Sequence, residues 1–155
     1  MSDDGEAALR FAASCYRAER AALRLVARAE QCEFGLSRKL GTRGHEESCV
    51  RAALAHLSAQ EVVSDDRFAI RWLQSRLNAA GQTPQTLLLG LRRRGIRLET
   101  ARQALAVVLD LETELVLLRR FLEKQRFGPE PCIRLALKRE RFSQAAIAAF
   151  FEAEG

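Results

Sequence analysis

The chain repeats itself at an interval of about fifty residues, and that periodicity restricts its fold more than any single motif does. The stretch from Leu87 to Leu105 places Leu87, Leu88 and Leu91 on one side of a predicted helix, breaks at Gly95-Ile96, and continues with Ala101, Ala104 and Leu105 on a second helix. Upstream, Leu36, Leu40, Arg43 and Gly44 take the places of Leu87, Leu91, Arg94 and Gly95, while Val50 and Leu54 take those of Ala101 and Leu105. Downstream, a looser copy has Ile133, Leu137, Phe142, Ile147 and Phe151 in the places of Leu87, Leu91, Ile96, Ala101 and Leu105.

A unit of this size buries too little apolar surface to stand alone, so neighbouring units must cover one another's leucines. Val, Ile and Thr are sparse against Ala, Leu, Arg and Glu, which are helix formers. The expectation is an all-α chain of three tandem three-helix repeats in an elongated, curved array, dividing at 1–60, 61–109 and 110–155. Leu9, Ala13, Tyr16, Leu23 and Ala27 draw the apolar stripe of a long first helix over 6–30, after a frayed start at Met1 to Gly5. Helices follow over 32–43, ending near Gly44, and over 46–59. Ser64-Asp65-Asp66 opens the next, which reaches 80; Pro84 suits the first turn of the one after, and 98–109 completes the unit. The last three span 111–127, 132–140 and 143–154.

Several chemistries are excluded. Cys15, Cys32, Cys49 and Cys132 form no CxxC pair and no apolar secretory segment precedes them, which predicts small buried thiols in a cytoplasmic protein. No apolar run approaches the roughly 20 residues of a membrane span. His45 and His56 have no zinc-like pattern around them, so neither metal nor cofactor is expected; His45, at the place of Ile96 and Phe142, reads as a packing residue at a turn. Gly41-Thr42-Arg43-Gly44 lacks the Lys-Ser/Thr of a phosphate loop. Asp65 and Asp66 are explained by helix capping and the helix dipole, without a His, Lys or Tyr to support catalysis, and the chain is not read as an enzyme.

The basic residues say more. Arg38, Lys39 and Arg43, then Arg92, Arg93, Arg94 and Arg97, then Lys138, Arg139 and Arg141 lie on or just after the second helix of each unit. Stacked units would align them on one side, which together with a net charge of +5 and a pI near 9.5 points to a long acidic partner. Apart from Phe34, aromatics for stacking on bases are missing from these helices.

Three segments together resemble the RecX family of recombinase regulators: Leu36-x-x-Lys39-Leu40-x-x-Arg43-Gly44; Ser64-Asp65-Asp66-Arg67-Phe68-Ala69; and Pro84-x-x-Leu87 leading to Leu91-x-x-x-Gly95-Ile96. Gly35 and Gly90 stand where that family usually has a Glu before the leucine, Cys32 replaces a capping Ser, and Thr83 replaces a Gly before Pro84. The resemblance implies a cytoplasmic protein that binds the RecA filament and restrains its assembly and ATP-driven strand exchange, with Asp65, Asp66, Arg67, Phe68 and Gly95 in the family motif; the repeat-aligned cations Arg43, Arg92, Arg93, Arg94, Arg97, Lys138, Arg139 and Arg141 are the expected contact residues. A monomer with weak direct contact to DNA is expected. The alternative is a nucleic-acid-binding helical protein that acts without RecA, using 87–105 as a helix-turn-helix reader.

Overall fold

The computed structural model describes residues 3–154, and among them there are nine α-helices and no strand. They are α1 (Asp3–Val26), α2 (Glu33–Thr42), α3 (Glu47–Ala59), α4 (Asp65–Arg76), α5 (Pro84–Arg93), α6 (Leu98–Val108), α7 (Leu111–Glu123), α8 (Glu130–Arg139) and α9 (Gln144–Glu154). The chain forms two compact units that divide inside α4, between Phe68 and Ala69.

The repeat is visible in one turn that occurs three times. After α2, α5 and α8 the N–H groups of His45, Ile96 and Phe142 donate to the carbonyls of Leu40, Leu91 and Leu137 at 3.2, 3.2 and 3.1 Å. The residue before each is left-handed: Gly44 (φ 82°), Gly95 (φ 80°) and Arg141 (φ 63°). This closure satisfies carbonyls that a helix end would otherwise leave unpaired. Leu40, Leu91 and Leu137, which bear the accepting carbonyls, are fully buried. Glycine enters the left-handed region without steric cost; Arg141 does so without that freedom.

In the unit that ends at Phe68, Leu36 and Leu40 of α2 pack with Val50, Leu54 and Leu57 of α3 and with Ala21, Ala22 and Leu25 of α1. Alanines on α1 let it approach α3 closely, where Ala18 packs with Cys49 and Ala53. His56 Nδ1 of α3 also lies 3.1 Å from Glu19 Oε1 of α1. The stripe expected to face inward is misplaced by this packing: Leu9 and Tyr16 are 63% and 64% exposed. An Ala-rich helix has two faces apolar enough to be buried, and the one with the smaller side chains approaches α3. The start of α1 differs too, since Asp3, Asp4 and Gly5 are helical, with acids in the first turn where the dipole favours them; Met1 and Ser2 lie outside the described residues.

In the unit from Ala69 onward, Leu73, Leu87, Leu91, Ile96, Leu117, Leu118, Leu137 and Ile147 are fully buried. Helices α4 and α7 end earlier than expected, at Arg76 and Glu123, and α8 starts earlier, at Glu130, because Pro131 fits its first turn. Helix α7 buries Leu117 and Leu118 and leaves Leu111, its first residue, 48% exposed.

Gly90 is explained by Trp72. A β-carbon at position 90 would lie 2.3 Å from the ring tip of Trp72, so the bare backbone of α5 is what admits the indole. Gly90→Ala should therefore lower stability by about 1–3 kcal/mol through overpacking, against a helix-propensity gain of about 1 kcal/mol. Combining it with Trp72→Leu should remove most of that loss. Denaturant titration of the two single variants and the double variant checks this, and additive effects would show that the two residues are not coupled.

Candidate interaction surface

The Asp65-Asp66-Arg67 segment holds the first unit together. Cys32 stands at the N-cap of α2, and the N–H of Glu33, the first residue of that helix, donates to Asp65 Oδ1 at 2.9 Å. Asp65 thus satisfies, from thirty-two residues away, one of the N–H groups that a helix start leaves open. Arg67 donates through Nε to Glu30 Oε1 at 2.8 Å, and through one terminal nitrogen to the carbonyls of Glu61 and Val62, each at 3.2 Å. Glu61 is itself left-handed (φ 56°), so Arg67 secures the turn between α3 and α4 and ties it to the segment before α2. Ser64 Oγ caps α4 by accepting from the N–H of Arg67 at 3.2 Å. Asp66 is exposed and Phe68 half-buried.

The basic residues divide by what they already hold. Arg92 donates to the carbonyl of Ile96 at 3.0 Å and so closes the turn after α5. Arg94 donates to the carbonyl of Gly90 at 3.0 Å, with its guanidinium carbon 4.6 Å from the Trp72 ring centroid. These two guanidiniums are engaged with their own unit. Arg93, Arg97, Lys138, Arg139 and Arg141 are exposed and make no ion pair with a described residue. Arg43, at the C-cap of α2, is likewise exposed but belongs to the other unit.

Within the second unit the two exposed groups have a definite spacing. Thr83 caps α5 by accepting from the N–H of Thr86 at 3.1 Å, and its hydroxyl donates to the Glu140 carboxylate at 2.7 Å. The N–H of Gln85 donates to the Glu140 carbonyl at 3.0 Å. The C-terminal end of α8 therefore sits on the N-terminal end of α5. Lys138, Arg139 and Arg141 mark one end of α5 and Arg93 the other, about 12 Å apart along its axis. The far partner is fixed as well: buried Glu114 of α7 accepts from the N–H and hydroxyl of Ser143, at 2.5 and 2.7 Å, which anchors the start of α9 just after Arg141.

The sequence reading missed Arg102, which shares with Arg141 the wall of a cavity of about 290 Å³ floored by Pro84, Leu88, Leu105 and Leu109. It also missed Thr83, Glu140 and Glu114, whose partners are distant in sequence. Asp110 caps α7 as a short-range signal could have shown; the Thr113 hydroxyl and N–H hold its carboxyl below the usual carboxylate range.

Among the described residues no group of three His, Cys, Asp or Glu side chains gathers as a metal site, and no helix is long and apolar enough to cross a membrane. The cysteines differ from the expected uniform burial: Cys32 and Cys49 are buried, Cys15 is half-buried and Cys132 is exposed. Cys132 lies in the first turn of α8, just after Pro131, and is exposed there. The hydrogen bond to the Cys49 sulfur, at 2.9 Å, is the main cause that pushes the Cys15 thiol up to about 11. Burial likewise pushes the Cys32 thiol up. Since the thiolate is the reactive form, Cys132 should be the first thiol alkylated by iodoacetamide at neutral pH, with Cys15 at least about tenfold slower. Peptide mapping after partial labelling checks this; equal labelling of Cys15 and Cys132 would contradict it.

No family model matches the chain. It is 36% identical over 149 residues to the regulatory protein RecX of Treponema pallidum strain Nichols, covering 94% of this chain and 90% of that one. Against the regulatory protein RecX of Halorhodospira halophila it is 33% identical over 108 residues, 70% of this chain and 65% of that one. A crystal structure of a regulatory protein RecX superposes with a TM-score of 0.76 at 19% identity, covering 98% of this chain and 80% of that one. That of RecX from Lactobacillus salivarius superposes with a TM-score of 0.70 at 18% identity, covering 92% and 97%.

Proposed function

The chain belongs to the RecX family of regulatory proteins, and from that premise we propose that it modulates the RecA recombinase by binding along the RecA–DNA filament, restraining filament assembly, ATP hydrolysis and strand exchange. The observation that carries this reading is the division among the basic residues. Arg93, Arg97, Lys138, Arg139 and Arg141 are exposed and have no ion-pair partner among the described residues, and their positions at the two ends of α5 suit an extended acidic target. Arg43 offers a further cation at the equivalent turn of the first unit. Arg92 and Arg94 support the surface from beneath and contribute field more than contact. The three-repeat division at 1–60, 61–109 and 110–155 remains part of the same proposal, with one basic turn supplied by each repeat.

A RecA-independent reader of duplex DNA fits less well. The first turn of α6, where such a reader would present polar groups to base edges, offers exposed Leu98 and acidic Glu99 next to Arg97. The reading is tested by RecA's DNA-dependent ATP hydrolysis, measured as this protein is titrated in. The rate should fall with increasing protein and saturate; an unchanged rate and an unchanged filament lifetime at every concentration would remove the proposed function.

A further inference from the structure

Helices α1 and α3 bring two sulfurs together. The thiol of Cys15, half-buried on α1, donates to the sulfur of Cys49, buried near the start of α3, with 2.9 Å between the two. The Cys49 thiol in turn donates to the Phe11 carbonyl, one turn back along α1, at 3.9 Å. Ala18 lies against Cys49 and Ala53, and these small side chains let the two helix backbones approach. Both cysteines belong to the unit that ends at Phe68, 34 positions apart, and all of α2 lies between them in the chain. In the register of the repeat, where Val50, Ala101 and Ile147 correspond, Thr100 and Ala146 take the place of Cys49 in the other two copies. Packing at that place does not call for sulfur.

We propose that Cys15 and Cys49 are a reversible modification site, a dithiol that exchanges with low-molecular-weight disulfides such as oxidised glutathione and closes into an intramolecular bridge between α1 and α3. A disulfide sets its sulfurs ~2.05 Å apart, so these two have about 0.9 Å left to close, a gap that rotation about the two Cα–Cβ bonds spans. Cys15, the one that solvent reaches, attacks a sulfur of the glutathione disulfide; a bond forms between them and one glutathione thiolate leaves. Cys49 then attacks the Cys15 sulfur, the bridge forms, and the second glutathione thiolate leaves. The two protons given up by the cysteines end on the two glutathione thiols, and the two electrons lost by the protein sulfurs reduce the oxidant. The hydrogen bond that pushes the Cys15 thiol up to about 11 keeps it protonated at neutral pH. The first exchange is therefore slow, and the site answers to sustained oxidation. This inference goes beyond the proposed action on RecA and does not depend on it.

The test is a redox titration of the full chain in glutathione buffers of graded ratio at about pH 8, where thiolate is more plentiful, approached from the reduced and from the oxidised side. Samples are quenched in acid and mapped by mass spectrometry without reduction. The peptide pair joined through Cys15 and Cys49 should appear, two hydrogens lighter than the separate thiols. Half-closure should need at least about a hundredfold less oxidising a buffer than for the same chain in denaturing urea, where a flexible chain supplies only about millimolar effective concentration. Helix content by circular dichroism should not change on closure, and dithiothreitol should restore the starting protein. Cys132→Ser should leave the titration unaltered, and Cys49→Ser should stop at the glutathione adduct of Cys15. Separate glutathione adducts on Cys15 and Cys49 in place of the bridge, or a bridge no easier to form in the folded chain than in urea, would overturn the proposal. A bridge that costs helix content or that requires Cys132 would overturn it equally.

Discussion

Replacing Leu91 by alanine should cost about 2–5 kcal/mol, a large share of the stability of a small domain. Leu91 is fully buried in the last turn of α5, and its carbonyl accepts from the N–H groups of both Arg94 and Ile96. Its side chain therefore stands where helix, turn and neighbouring helices meet, and the site has little freedom to collapse around a cavity. Leu40 and Leu137 hold the same place in the other two copies of the turn and should behave alike. Each unit is compact in itself, so the damage should be local. Leu91→Ala and Leu137→Ala should speed amide exchange in the unit from Ala69 onward, and Leu40→Ala in the unit ending at Phe68. Equal loss of protection in both units from any one of the three would show a single cooperative block.

Reversing charge at Arg93, Arg97, Lys138 and Arg139 to Glu should weaken binding to the RecA–DNA filament by at least about a hundredfold at low salt, as expected when like charges replace complementary ones across an interface. All four are exposed and have no ion-pair partner among the described residues, so the substitutions should leave the core intact. Arg93, Lys138 and Arg139 lie in last helical turns, where Glu opposes the dipole at about 0.3–1 kcal/mol each; a Gln series at the same positions separates that cost from the loss of contact. The native protein should lose affinity steeply with salt and the reversed one should not, because screening acts on charges that only the native protein presents to the filament. Arg94→Gln is the informative contrast. Its guanidinium holds the Gly90 carbonyl and covers Trp72, so that variant should lose stability and shift the tryptophan fluorescence more than it loses affinity. A reversed protein that is folded and binds with native affinity and salt slope would return these cations to ordinary solvated surface.

The architecture was legible where the sequence states it more than once. The turn after α2, α5 and α8 is written three times with a leucine at its base, and its backbone bonds recur at each copy. The phase of α1 was not legible, because alanines make more than one face of that helix apolar and only the presence of α3 decides which is buried. Contacts made across long separations were also invisible: Asp65 at the start of α2, Glu140 on Thr83, Glu114 on Ser143. Each involves a polar residue that, taken locally, looks like exposed surface. Gly90 shows the same limit from the other side, since a glycine in mid-helix reads as a defect until Trp72 is placed against it. Among the arginines the pattern identified the cluster, but only the hydrogen bonds of Arg92 and Arg94 separate supporting cations from presented ones.

The proposed function requires the basic turns to favour RecA on DNA over DNA alone. Fluorescence anisotropy of the labelled protein, titrated in parallel with preformed RecA–DNA filaments and with the same DNA lacking RecA, tests it most directly. Binding to the filament should be saturable and at least about tenfold tighter than to the bare DNA at physiological salt, where non-specific phosphate contacts are largely screened. Equal or tighter binding to the bare DNA, with no gain when RecA is present, would contradict it.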